Sequence, residues 1–328
     1  MGVIVAKAPL RISLGGGGTD LPSYFREHEG FLVAGAIDRY VYILVHAAFN
    51  RIFQLKYSKL EETRTPSSIR HPIFREALMR YWDGDPLEIT SIADVPAGTG
   101  LGSSGSFTVA LLKALAQCRR TSTTPAQLAQ QASEIEIDFL QEPVGKQDPY
   151  VAAHGGICAY TFHRDDTVTV EPLSLSGATH ERLRNQMLLF YTGETRSASS
   201  VLMDQHKRSL AGDQEMIENL HRTKEMGFKS RQLLECGDLE GYAKLMNEHW
   251  QNKRSRSDDV TNAHIDRLYE IAMANGAIGG KLIGAGGGGF LLVYSAIPSL
   301  TREAMAGLGA TEQPFDFEFG GASAQGLV

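Results

Sequence analysis

Cysteine is scarce in this chain, and nothing that cysteine builds fits it. The 328 residues hold three, Cys118, Cys158 and Cys236, too scattered for a disulfide framework or zinc spacing and suited to a reducing cytoplasm. Long apolar runs are lacking too. Residues 31–37 and 289–294 are strand-sized, well short of the roughly 20 apolar residues that cross a bilayer. No basic segment followed by an apolar one opens the sequence. The expectation is a cytoplasmic protein with no secretory signal and no membrane partner. Positive charge is also short: the net charge of −6 argues against a nucleic-acid binder, whose affinity would rest on a basic face.

Glycine, by contrast, is plentiful, with 34 residues, many of them in three clusters. The middle cluster runs from Pro96 through Gly98, Gly100, Leu101, Gly102, Ser103, Ser104 and Gly105 straight into an apolar, helix-like stretch. Glycines let a backbone pass close to a ligand, the first N–H groups of a helix have no intrahelical acceptor, and the helix dipole favours negative charge there. The segment therefore reads as a phosphate trap. It lacks the Gly-Lys-Ser/Thr ending of a Walker loop. About twenty positions on, it carries Arg119 and Arg120 where a dinucleotide fingerprint needs an acidic residue. Standing alone, it would serve equally as a plain turn capping a helix. It is flanked, however, by Gly15–Gly18 with Thr19 and Asp20 after a short apolar strand, and by Gly279–Gly289 before another.

Periodicity predicts strands at 3–8, 41–46 and 52–57 and a helix at 103–118, whose Phe107, Leu111, Ala114, Leu115 and Cys118 share a face. A second helix opens on Thr124, Pro125 and Gln127, a capping box with proline in the first turn, and has Leu128, Ala132, Ile135 and Phe139 as its apolar stripe. Later come a strand at 187–191, helices at about 197–235, 239–251 and 264–274, and strands at 289–294 and 315–319. Mixed elements of this kind predict an α+β protein, and a length of 328 residues suits two domains, 1–180 and 181–328.

The three glycine segments in this order resemble the small-molecule kinases of the GHMP superfamily, which act on galactose, homoserine, mevalonate and phosphomevalonate. The resemblance runs nearly end to end. It implies an N-terminal domain like ribosomal protein S5 domain 2, a C-terminal ferredoxin-like domain, and ATP between them with its phosphates on the loop 96–105. Glu136, twelve positions before Asp148, matches the superfamily's metal-binding glutamate and catalytic aspartate. Without the flanking motifs the two read as a solvated helix residue and a turn former. Ser104 and Glu136 would hold Mg²⁺, which prefers oxygen donors and shares the nucleotide phosphates. Asp148 would accept or orient the proton of the acceptor hydroxyl. Arg11 would supply fixed positive charge near the transferring group, with a surface strand arginine as its competitor. Lys146 would influence Asp148, and a plain turn lysine fits that position as well.

The first cluster narrows the acceptor. Where galactokinases carry Gly-Glu-His-x-Asp, this chain has Gly15, Gly16, Gly17, Gly18, Thr19 and Asp20. Together with Gly145–Tyr150, this resembles the D-glycero-D-manno-heptose 7-phosphate kinases, which phosphorylate the anomeric C1 hydroxyl to give the 1,7-bisphosphate for nucleotide-activated heptose. Asp20 would accept hydrogen bonds from sugar hydroxyls, and Gly16–Thr19 would let the backbone approach the ring. Arg196, Lys253 and Arg254 are candidates for the existing phosphate, with Arg254 and Arg256 reading more simply as a solvated helix end. Pro149 departs from the glutamine usual after that aspartate, which touches fine specificity and not the base. The partners expected are a small sugar phosphate, no nucleic acid and no membrane, with a homodimer left open. A kinase of fucose or free heptose is the near alternative, and a non-enzymatic RNA-binding S5-like module the distant one.

Overall fold

The computed structural model describes residues 2–194 and 199–327. Two sheets organise them. The larger has eight strands and is built on the long strand Gly30–Ala47, which pairs along its length with Val3–Gly15. On its other side the partner changes: Ile157–Phe162 pairs with residues 30–35 and Leu87–Ala93 with residues 41–47. The smaller sheet is antiparallel, in the order Thr311–Glu312, Met187–Tyr191, Phe290–Ser295, Ala277–Leu282.

One buried cluster lies between the large sheet and the helices Pro72–Tyr81, Ser103–Cys118 and Pro125–Ser133. A second joins the two halves: Leu10, Ile12 and Val33 of the large sheet share it with Leu189 and Leu292 of the small sheet and with Tyr242 and Met246 of the Leu239–Arg254 helix. Burying apolar area at about 25 cal/mol per Å² is the main favourable term in holding such elements together, and here it also fixes one half against the other. The strand Ser323–Leu327 returns to the large sheet and pairs antiparallel with Val3–Lys7. Sheet membership thus crosses the 180/181 division at the end of the chain. Among the described residues no helix is long and apolar enough to cross a membrane.

Local chemistry explains several element ends. Thr124 and Gln127 form the expected capping box. Gly212, at φ 70°, and the Asp213 N-cap split the long helical region into Ser199–Leu210 and Gln214–Cys236. The strand expected at 315–319 is not one. Phe317 makes a single bridge to Ile37, because this segment fills only the gap at residues 36–38 where Gly30–Ala47 changes partners. The Phe139 side chain, expected on an apolar stripe, is exposed against Arg80. The helix widens into a π-helical turn over Glu134–Phe139, which shifts the facing of every residue in it.

Candidate active site

The Ser103–Cys118 helix starts without a side-chain cap. Its N-cap is Gly102 at φ 80°, a left-handed conformation that suits glycine. The first helical N–H groups are thus left for an external acceptor, an anion site in the making. The loop is held from beneath by the third glycine cluster: a Cβ on Gly284 would come within 2.5 Å of Gly100 Cα. It borders a cavity of about 540 Å³ lined from both halves of the chain. Gly98, Gly100, Gly102, Ser103 and Ser104 line it. Pro96, Leu101 and Gly105 do not: Pro96 accepts the Thr99 hydroxyl through its carbonyl, and the Leu101 side chain is buried in the shared core. They shape the loop.

Asp148 lies in the first turn of the helix Gln147–His154, directly against that loop. A Cβ on Gly105 would sit 2.7 Å from Asp148 Cβ, so only glycine allows the approach. Arg11, buried on the Val3–Gly15 strand, donates from Nε to Asp148 Oδ1 at 2.7 Å and also to the Gly100 carbonyl. The arginine clamps Asp148 and the loop together. Ser104 donates to Glu136 Oε2 at 3.1 Å, and Thr108 to Glu136 Oε1 at 2.7 Å. Glu136 sits in the π-helical turn, and burial pushes its carboxyl up to about 7. No lysine or arginine pairs with it among the described residues. A buried carboxylate without a protein cation, beside an exposed hydroxyl at a phosphate-binding loop, fits a hard divalent ion.

The Gly15–Asp20 turn divides by role. Gly17, Gly18 and Asp20 line the cavity. Asp20 is buried and accepts the N–H groups of Gly18 at 3.0 Å and Gln147 at 3.1 Å; burial raises its pKa. It thereby anchors the segment that carries Asp148. Thr19 and Gly16, expected at the sugar, turn away: the Thr19 hydroxyl bonds the carbonyls of Gly16 and Phe31, both at 2.9 Å, and Gly16 N–H donates to His249 Nε2. Lys146 is a second correction. Its Nζ donates to the Asp166 carbonyl at 2.6 Å, away from Asp148, because the helix starting at Gln147 points adjacent side chains in different directions. Lys253 lines the cavity, yet its Nζ is tied to the carbonyls of Leu282 and Gly284. Arg196 lies outside the described residues.

Several lining residues carried no local signal in the sequence. Val41, Tyr57, His71, Ile73, Val95 and Phe107 form an apolar, aromatic end suited to a nucleobase. They come from separate elements, with the His71 and Phe107 rings 5.3 Å apart. At the other end, Arg256 is buried, not solvated, and Lys281 and His249 are buried beside it.

Residues 69–156 match the family GHMP kinases N terminal domain, and residues 216–297 match GHMP kinases C terminal. The D-glycero-alpha-D-manno-heptose 7-phosphate kinase of Campylobacter jejuni is 29% identical over 324 residues, covering 92% of this chain and 94% of that protein. Among solved structures, a D-glycero-D-manno-heptose 1-phosphate kinase from Bacteroides thetaiotaomicron superposes with a TM-score of 0.82 at 25% identity, covering 99% of both chains. Lactococcus lactis galactokinase, complexed with galactose, shares the fold at a TM-score of 0.77 and 17% identity, covering 99% of this chain and 95% of that one. Matched in both halves, and with an uncapped glycine loop set against an arginine-clamped aspartate, the chain belongs to the GHMP kinases and is a phosphotransferase that uses ATP and a hydroxyl acceptor.

Proposed function

We propose that the protein transfers the γ-phosphate of ATP to the anomeric C1 hydroxyl of D-glycero-D-manno-heptose 7-phosphate. One observation carries this: Asp148, held by Arg11 at 2.7 Å, lies against the first turn of the uncapped loop helix, so an acceptor base and a phosphate trap stand side by side. The names of the heptose-kinase relatives support a heptose phosphate as acceptor. They differ in the position at which the phosphate is named.

Phosphoryl transfer asks the protein to position groups and to balance dispersed negative charge. The helix N–H groups after Gly102 take the nucleotide phosphates, and the aromatic end takes the base. Asp148 Oδ1 is occupied by Arg11, which leaves Oδ2 to accept the proton of the acceptor hydroxyl. An anomeric hydroxyl is more acidic than an ordinary alcohol, so the carboxylate orients more than it abstracts. Asp20, Gly17 and Gly18 face the sugar. Ser104 and Glu136 would hold Mg²⁺, which supplies charge neutralisation on the phosphates.

The test is ATP consumption with heptose 7-phosphate, heptose, fucose and galactose as acceptors, followed by phosphorus NMR of the product. The expected result is strongest turnover on the 7-phosphate and a signal for an anomeric phosphate. Preference for fucose or free heptose, or a phosphate on any other carbon, would overturn the assignment.

A further inference from the structure

Positive charge in the acceptor half of the cleft exceeds what the carboxylates around it can balance. Lys253, Arg256 and Lys281 all line it, each 7% exposed or less. Arg11 already has Asp148, and both oxygens of Asp20 are held by backbone N–H groups. Lys253 is satisfied by two carbonyls. Arg256 donates from Nε to Asn219 Oδ1 at 2.7 Å and from Nη2 to the Thr223 hydroxyl. Its Nη1 stands beside the substrate-side turn, where a Cβ on Gly18 would lie 2.8 Å away. Lys281 has no hydrogen-bond or carboxylate partner among the described residues. Burial, then the charges of Arg256 and Arg11, push its pKa down to about 7. His249 accepts Gly16 N–H on Nε2, so Nδ1 carries the proton and donates to nothing.

Buried cations and donors are costly unless paired, and three unmet donor groups converge near the Asp20 carboxylate, whose charge reaches Arg256 but whose two oxygens are already held by backbone N–H groups. The nucleotide phosphates have their own donors at the loop helix, whereas Arg256 and His249 both lean on the Gly16–Asp20 turn. We propose that Lys281, Arg256 and His249 form a subsite for a phosphate monoester carried by the acceptor itself. This rests on the sugar-phosphate reading above and moves the phosphate contact from Lys253 to Lys281 and Arg256.

Lys281→Met is the first variant, since it removes a buried charge while keeping the length of the side chain. Steady-state kinetics are measured with heptose 7-phosphate and with unphosphorylated heptose. The expected result is a ten- to hundredfold higher KM for the phosphorylated acceptor, of the order that losing one charge-assisted contact produces, with a much smaller change for heptose and for ATP. Lys281→Arg should keep most of the preference. An equal rise for both acceptors accompanied by a raised KM for ATP, or no rise at all, overturns the proposal. A second measurement separates this from failure of the substrate assignment: calorimetric titration of inorganic phosphate into wild type and Lys281→Met, each saturated with a non-hydrolysable ATP analogue. Binding to wild type alone supports the subsite even if heptose 7-phosphate proves not to be the acceptor, and equal binding or none overturns it.

Discussion

Asp148 and Arg11 act as a unit. Asp148→Asn keeps the shape and removes the proton acceptor, so kcat should fall by about 10²- to 10⁴-fold while the KM for ATP changes little. Because Arg11 is buried and would lose its carboxylate, a loss of stability of about 1–3 kcal/mol should accompany it. Steady-state kinetics and urea unfolding check the two halves, and a kcat within a few-fold of wild type removes Asp148 from the mechanism. Lys281 predicts the opposite trade. Its pKa in the folded protein is about 7 against an ordinary value of 10.5, so folding favours the neutral amine. The ligand-free protein therefore gains stability from this group as pH rises from 7 to 10.5. Lys281→Met should be more stable than wild type below pH 7, with the difference closing toward pH 10.5, as thermal unfolding across that range will show. A site residue whose removal stabilises is the usual mark of function held against folding.

The helix Ser103–Cys118 was legible to the residue because its start is local chemistry, a glycine loop followed by an apolar 3.6 period. The Thr124 capping box was legible for the same reason. Thr124→Ala should cost about 1 kcal/mol and leave kinetics unchanged, a useful contrast with Gly105→Ala. Alanine ordinarily stabilises a helix interior, but here its Cβ would meet Asp148 Cβ at 2.7 Å and Pro149 N at 2.8 Å. A shift of Asp148 by an ångström costs on the order of 10²-fold in rate, so turnover should collapse with only a modest change in melting temperature. What the sequence hid is what packing decides. Arg256 reads as a charged helix end, and only the neighbouring helix, through Asn219 and Thr223, draws it inside. Lys146 is next to the aspartate in sequence and away from it in space. The π-helical turn that aims Glu136 at Ser104 leaves no periodic signal, since it is a one-residue departure from the period itself.

Because one buried cluster runs through both sheets, the cleft between them is a fixed feature of the packing, and Asp148, the glycine loop and the cations, which come from separate parts of the sequence, are brought together there by packing. The two-domain outline was readable from the length of the chain and from the family resemblance. The return of Ser323–Leu327 to the first sheet was not, because pairing between residues some three hundred positions apart carries no local trace. Removing residues 323–328 should bare the edge of the Val3–Gly15 strand, lower the melting temperature and promote association through that edge, measured by light scattering alongside calorimetry. A truncated chain as stable and monodisperse as the full one would show the strand to be dispensable. The same pairing sets a clock on synthesis. At roughly 5 to 20 residues per second, the ribosome adds Ser323 about 15 to 60 s after Lys7. For that interval the nascent sheet must wait with its first strand unpaired on one side, so the emerging chain, more than the finished enzyme, is the form that chaperones would guard.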